Sequence, residues 1–463
     1  KNPDAGPGLA DTGSDATGGD GCVRINGTGG WPTIKSALAE AVDGDVIYLC
    51  PGTYEEKVKI EKAVTIKGPN TGDPAIIVGP EGDSAVSIRT DGVTLSWITI
   101  QSHDMGVYVR DVRDTLIQAV TVNEVVGPAI RAAGSTDMLV QACHFDNTPA
   151  TAILIDGAGT ATLLNNSFEG SVGYAVRAKD GATLTLDGNE FAGTVENDAG
   201  FNTAVRVTEG ATSISTNNIF SENTGYGFHA DGGHIQSDGD TFIGGQYAIY
   251  STSGSIDVNN ASITAAIDGG IRARTAADDL VVRNSTLAID PTLGTSLTPD
   301  EWRSNTSKGV GLHLSTDADI RVEGLNISGF NNAGLFLAGL SSTTGPDVTV
   351  QDVTITNTGW VGLYGQEASF GIDNLTVTDL REVDDLEAAQ CETVGTNGAL
   401  NLSSSTGTIT NSTFTDNDGY GIAALASDVE VSDVTVARNA CSGIINFNGT
   451  LSVDDSDFSE PTY

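Results

Sequence analysis

Fifteen side chains each stand one position after a recurring aliphatic residue: Ser87, Tyr108, Arg131, Leu154, Arg177, Arg206, His229, Tyr250, Arg272, His313, Phe336, Tyr364, Asn401, Ala423 and Ile445. None is Asp or Glu, although the chain carries 61 acidic residues against 22 basic ones. The set nevertheless takes four of the 14 Arg and two of the 5 His. Arg131, Arg177, Arg206, His229, Tyr250, Arg272 and His313 together have the chemistry of ligand recognition. A guanidinium fork meets carboxylate or sulfate oxygens two at a time, and a flat ring offers an apolar platform. The competing reading is that Arg and Tyr cover a sheet and pair with acidic neighbours.

The element that must position them is a short phrase: a small residue, a large aliphatic, any residue, then usually another apolar one. It begins at Ala85-Val86-Ser87-Ile88, and its aliphatic recurs at Val107, Ile130, Ile153, Val176 and onward to Ile444. Most intervals are 21 to 23 residues. A fixed period of this size marks a solenoid, whose units bury their apolar faces only by stacking. Each period also holds an alternating pair such as Leu184-Thr185-Leu186 and a segment ending on Phe or an aliphatic, for example Phe145, Phe168 and Phe191. Period-two alternation, β-branched residues and Gly/Asn/Asp corners predict strands and turns. The expectation is an all-β, single-stranded parallel β-helix built of three-strand coils. The Asn-X-Ser/Thr sequons, for example at Asn165, Asn284, Asn326 and Asn411, follow from this repeat.

Four intervals are too long, which places insertions near 194–202, 288–308, 339–347 and 380–397. Three of them share one phase of the repeat, just before the phrase, and so leave from one corner. Insertions of common phase tend to wall a binding face.

The net charge of −39 disfavours nucleic acid and anionic membranes as partners. No apolar run is long enough to span a bilayer. No cofactor is required, and calcium is the ion that acidic turns could take. Among five cysteines, Cys22 and Cys50 flank a predicted cap, and Cys391 and Cys441 share the loop corner. Cys143 holds an inward position that suits a buried free thiol. Bridges Cys22–Cys50 and Cys391–Cys441 are preferred among the arrangements that five cysteines allow, and they would imply an oxidising compartment.

Residues 1–21 are rich in Gly, Asp, Ser and Thr, the composition of a tether. Residues 22–68 read as a cap with the first coils, and 69–463 as the β-helix. Thr33 to Val42 predicts an amphipathic capping helix, with Ile34, Ala37, Leu38, Ala41 and Val42 on one face, Thr33 as N-cap and Gly44 as stop. Such a helix covers the open strand edge of a first coil.

Three strings here, Trp31-Pro32-Thr33-Ile34, Asp43-Gly44-Asp45-Val46-Ile47-Tyr48-Leu49 and Pro51-Gly52-Thr53-Tyr54-Glu55-Glu56, carry a resemblance. They look like the opening of right-handed, pectin-lyase-like β-helix proteins, pectin methylesterases among them. The resemblance implies the fold and its right hand, but many activities share that scaffold. The esterases' catalytic strings are missing, as are the Gly-His-Gly and Arg-Ile-Lys of the polygalacturonases. What remains for catalysis is Asp278, Asp279 and His234, or a calcium-assisted lyase drawing on Asp231, Asp278, Asp279, Arg272 and Arg274. The tether resembles the spacer of bacterial surface lipoproteins, which implies a lipid anchor on a preceding segment. The expectation is therefore a non-catalytic extracellular or cell-surface protein for adhesion or glycan binding. A polysaccharide lyase or hydrolase is the alternative. A third reading is a structural protein whose copies meet through the tail and the last coil.

Overall fold

The computed structural model describes residues 22–196, 202–264, 268–275, 278–289, 309–340, 345–380 and 398–459. The expected tether and much of the four expected insertions lie outside them.

The repeated phrase folds as its alternation demands. Val107, Ile130, Ile153 and Val176 are wholly buried and pair rung to rung in parallel register. Among the described residues the phrase strands build one sheet of 16 strands, from Val58–Ile60 to Ile444–Phe447. The other two strands of each coil are joined in a second hydrogen-bonded network. The junction comes from Asp347–Thr356 and Ser369–Thr378, which run unbroken through a corner where two separate strands were expected.

The third strands stack their aromatic residues inside the rod. Phe145, Phe168, Phe191, Phe220 and Phe242 follow one another with ring centroids 4.7 to 4.8 Å apart. Two positions earlier runs an internal polar row. The Asn166 carboxamide donates to Asn189 Oδ1, Asn189 to Asn218 Oδ1, and Asn218 to Asp240 Oδ1, at 2.9, 2.9 and 3.0 Å. Cys143 opens the row, its N–H donating to Asn166 Oδ1 at 2.9 Å, and it is a free, buried thiol as expected.

Just outside this row the chain turns a corner through left-handed backbone on rung after rung. Ala119, Ala142, Asn165, Gly188, Asn217, Gly239, Asn260 and Asn284 all have φ between 49° and 70°. Asn and Gly adopt this conformation at low cost. Asn165, Asn260, Asn284, Asn374 and Asn411 sit at such corner positions, so the turn accounts for their sequons.

The cap is a helix, Ile34–Glu40, with Thr33 and Ser36 forming a capping box. Ile34, Ala37, Leu38 and Ala41 are buried. Val42 is not on that face: it is 63% exposed. The helix ends at Glu40, Ala41 is extended, and the Val42 N–H donates to Asp45 Oδ2 instead of a helical carbonyl. Val23–Ile25 pairs antiparallel with both Thr28–Trp31 and Val46–Tyr48, closing the edge of the first coil. Cys22 and Cys50 form a disulfide across this cap. Cys441 is also disulfide-bonded, and its expected partner Cys391 lies outside the described residues.

Candidate functional site

Parallel register stacks every residue on its equivalent in the next coil, so the outward position of the phrase becomes a ladder. Arg177 pairs with Arg206, Arg206 with His229, His229 with Tyr250, Tyr250 with Arg272, and Arg272 with His313. Adjacent rungs stand roughly 4.8 Å apart. Arg131 belongs to the same column but is cut off from Arg177 by Leu154. Its guanidinium also pairs with Asp156 at 2.9 Å, so that charge is met from within the protein.

A second column, not anticipated from the sequence, runs beside the first, buried at Tyr174, Thr203 and Tyr247 and partly exposed at Tyr226. Tyr174, Thr203, Tyr226 and Tyr247 occupy four consecutive rungs. These tyrosines wall the ladder. Arg177 and Arg206 lie over the Tyr174 ring at 5.9 and 5.3 Å, and Arg272 over Tyr250 at 5.7 Å. The Tyr174 hydroxyl is also hydrogen-bonded to Arg206, whose Nη2 stands 4.0 Å from Asp231. Arg177 Nε is buried without a hydrogen-bond partner.

His229 sits between aromatic edges, 5.4 Å from both Tyr226 and Tyr250. Burial, and then the Arg206 charge, push its imidazole down to about 4, against a weaker upward pull from Asp231. His313 is likewise pushed down to about 4 by burial and then by Arg272 and Arg274. Both are neutral near pH 7. Burial drives the phenols of Tyr174 and Tyr226 upward and that of Tyr247 to about 12, so these hydroxyls stay protonated. The face thus offers fixed guanidinium charge, neutral imidazole and phenolic donors, with aromatic planes between them.

Of the catalytic candidates, Asp231 and Arg272 stand at the ladder, whereas His234, Asp278 and Asp279 engage other partners. His234 opens His234–Asp238 in the other strand network, with Nδ1 2.8 Å from Ser255 Oγ. Asp278 accepts from the Thr275 hydroxyl, and Asp279 from the Asp319 N–H. These contacts tie the three to residues outside the arginine column. Among the described residues, no three of His, Cys, Asp or Glu gather where a metal ion could be held. Among them, too, no helix is long and apolar enough to cross a membrane.

The tyrosine column had a signal in the sequence: Tyr, a small residue, then the phrase aliphatic, at Tyr174-Ala175-Val176, Tyr226-Gly227-Phe228 and Tyr247-Ala248-Ile249.

No curated protein sequence matches this chain. Among solved structures, the chain is similar to pre-mature gene product 12 of bacteriophage phi29 at 13% identity and a TM-score of 0.42, covering 91% of this chain and 70% of that one. It is similar to a PL6 alginate lyase in complex with a trisaccharide at 14% identity and a TM-score of 0.33, covering 93% and 85%. It is also similar to PfbA, a surface adhesin of Streptococcus pneumoniae, at 11% identity and a TM-score of 0.28, covering 91% and 87%. At such distances a shared coil says nothing of a shared activity. The family described as "Right handed beta helix region" matches residues 84–242 and 310–462, more than half of the chain. With this match and its stacked parallel coils, the chain belongs to the right-handed β-helix family.

Proposed function

We propose that the protein is a non-catalytic extracellular surface protein for adhesion or glycan binding, which holds an anionic glycan along Arg177, Arg206, His229, Tyr250 and Arg272. One observation carries this reading: these side chains form an unbroken in-register ladder without a carboxylate, on a chain of net charge −39. The rung spacing of roughly 4.8 Å is close to the repeat of an extended sugar chain. Aromatic rings between the guanidinium groups suit the apolar faces of sugar rings. The partner is a glycan of a cell surface. The Cys22–Cys50 bridge supports an oxidising, extracellular setting. Lipid anchoring through a preceding segment and contacts between copies through residues 1–21 belong to the same reading.

The test is retention on immobilised polygalacturonate and on a sulfated polysaccharide. Arg177→Ala, Arg206→Ala and Arg272→Ala combined should abolish retention with the melting temperature nearly unchanged. Parent-like binding by this folded triple variant would make the column scaffold.

A second reading is a polysaccharide lyase. The specific observation in its favour is the position of His229 between Arg206 and two tyrosines, although burial and the Arg206 charge that keep its imidazole neutral also weaken it as a base. Release of ultraviolet-absorbing unsaturated ends from polygalacturonate by the parent, and none by His229→Gln, would replace the binding reading with this one.

A further inference from the structure

Past Arg272 the column changes character. His313, Phe336 and Tyr364 follow in register, with ring centroids 4.4 and 5.0 Å apart. Phe336 and Tyr364 stack within 20° of parallel and are partly exposed. The next rung places Asn401 beside Tyr364. Asn401 is only 3% exposed, yet neither its Oδ1 nor its Nδ2 has a hydrogen-bond partner. His313 Nδ1 is in the same condition. Buried polar groups are nearly always partnered, because leaving one unmet is costly.

A neighbouring glycine makes room for this amide. Asn401 Oδ1 lies 2.8 Å from where a Cβ on Gly398 would stand. A side chain there would press the carboxamide out of its place.

The unmet groups define a ligand. Asn401 offers one acceptor and one donor together, so its partner must both donate and accept. A carboxylate or a phosphodiester only accepts and leaves Oδ1 unmet. An alkyl chain meets neither atom. Adjacent hydroxyls of a sugar meet both, and the apolar face of the same ring stacks on Tyr364 or Phe336. His313, Phe336, Tyr364 and Asn401 include no Lys or Arg, so in a chain of net charge −39 an anionic unit is disfavoured here, and a cation, which only donates, leaves Asn401 Nδ2 unmet.

We infer that His313, Phe336, Tyr364 and Asn401 form a second subsite, for neutral sugar rings, continuous with the arginine ladder. The inference rests on the reading of that ladder as a glycan site. Together the two zones read a linear heteroglycan along the rod, with anionic units over Arg177 to Arg272 and neutral units over Phe336 to Tyr364.

The test is affinity electrophoresis of the intact protein through gels holding polygalacturonate, or one of a neutral panel: galactomannan, xyloglucan, laminarin and soluble starch. The parent should be retarded by polygalacturonate and by at least one neutral polymer. Tyr364→Ala and Asn401→Leu should each weaken the neutral retardation at least tenfold while that by polygalacturonate stays within twofold. Gly398→Ala should follow Asn401→Leu, and Tyr364→Phe should keep neutral binding, which separates a lost ring from a damaged fold. The Arg177, Arg206 and Arg272 triple variant should show the reverse pattern. If polygalacturonate retards the parent but no neutral polymer does, the second subsite is wrong and the ladder reading stands. Neutral retardation unchanged in Asn401→Leu would mean that ordered water alone meets the amide, and would also overturn the inference. A parent retarded by nothing would sink both.

Discussion

Tyr226 stacks on Tyr250, 4.8 Å between ring centroids and 13° from parallel, although the two come from adjacent rungs and from different columns. The diagonal contact joins the tyrosine column to the arginine ladder and holds His229 against both rings. Offset aromatic pairs contribute about 0.5–1.5 kcal/mol beyond their burial. Tyr226→Ala should therefore weaken retention on polygalacturonate about tenfold, the equivalent of about 1.4 kcal/mol. Tyr226→Phe should retain most of it, since the plane survives. Equal loss in both variants would assign the role to the hydroxyl instead.

The two ladder histidines set a pH dependence. His229 and His313 are held near 4 in the fold, against an ordinary value of 6.5. The unfolded chain therefore takes up these protons first as pH falls. Their contribution to stability is complete above about 6.5 and is lost progressively down to about 4, with a ceiling of about 3 kcal/mol per histidine. Asp373, Asp416 and Asp428, whose hydrogen bonds lower their carboxyls, act below 3.8 and leave this window clear. Asp240, raised by burial, works in the opposite direction above 3.8. Thermal melts of His229→Gln and His313→Gln should lose less stability between pH 6.5 and 4 than the parent does. Parallel curves for parent and variants would refute the assignment.

The coil was legible because period-two alternation and a near-constant interval dictate both inward residues and register. Val107 to Val176 and the whole outward column follow from those two facts alone. What stayed hidden lies at corners, where alternation stops. Ala175, Gly227 and Ala248 are buried beside the phrase aliphatic, so the tyrosines before them fall outside a strict in–out count. Asn166, Asn189 and Asn218 read as turn residues, yet their side chains point into the rod. Ala119, Ala142 and even Trp97, at φ 57°, take left-handed backbone that their residue types disfavour. Stacking on neighbouring rungs, not local preference, places them there. Val42 fails for a similar reason: helical spacing continues in the sequence after the helix has ended.

The internal amide row makes its own prediction. Asn189 Oδ1 accepts from the backbone N–H and the carboxamide of Asn166, while Asn189 Nδ2 donates to Leu163 O and Asn218 Oδ1. All of these groups are buried. Asn189→Leu fits a similar volume but strands partners on both neighbouring rungs, at a cost of about 2–3 kcal/mol. Cys143→Ser changes the end of the row, where the thiol accepts weakly from Val120 N–H at 3.5 Å, and should cost less than about 1 kcal/mol. Equal destabilisation in denaturant melts of the two variants would show that the row has no special energetic role.

The cap is the part of the rod held by means other than stacking, and it should fail first. Glu56 accepts from the N–H groups of Ile34 and Lys35 at 2.7 and 2.9 Å, where the helix presents its unmet donors. Lys62 Nζ reaches the Leu38 and Ala39 carbonyls at 2.9 and 2.8 Å, at the opposite end. Both contacts follow the helix dipole, with a carboxylate at the start and an ammonium at the finish. The Cys22–Cys50 bridge spans a sequence separation of 28. By loop-closure entropy it stabilises the cap by about 3–4 kcal/mol. Selective reduction should therefore speed amide exchange in Ile34–Glu40 and Val23–Ile25 while leaving Val107 to Val176 protected. Lys62→Met should reproduce a smaller part of this, about 1 kcal/mol. Non-reduced peptide mapping of the same sample should join Cys441 to Cys391 and leave Cys143 unpaired. If reduction instead accelerates exchange evenly along the rod, the cap and the coils unfold as one cooperative unit, and the helix does not guard the edge independently.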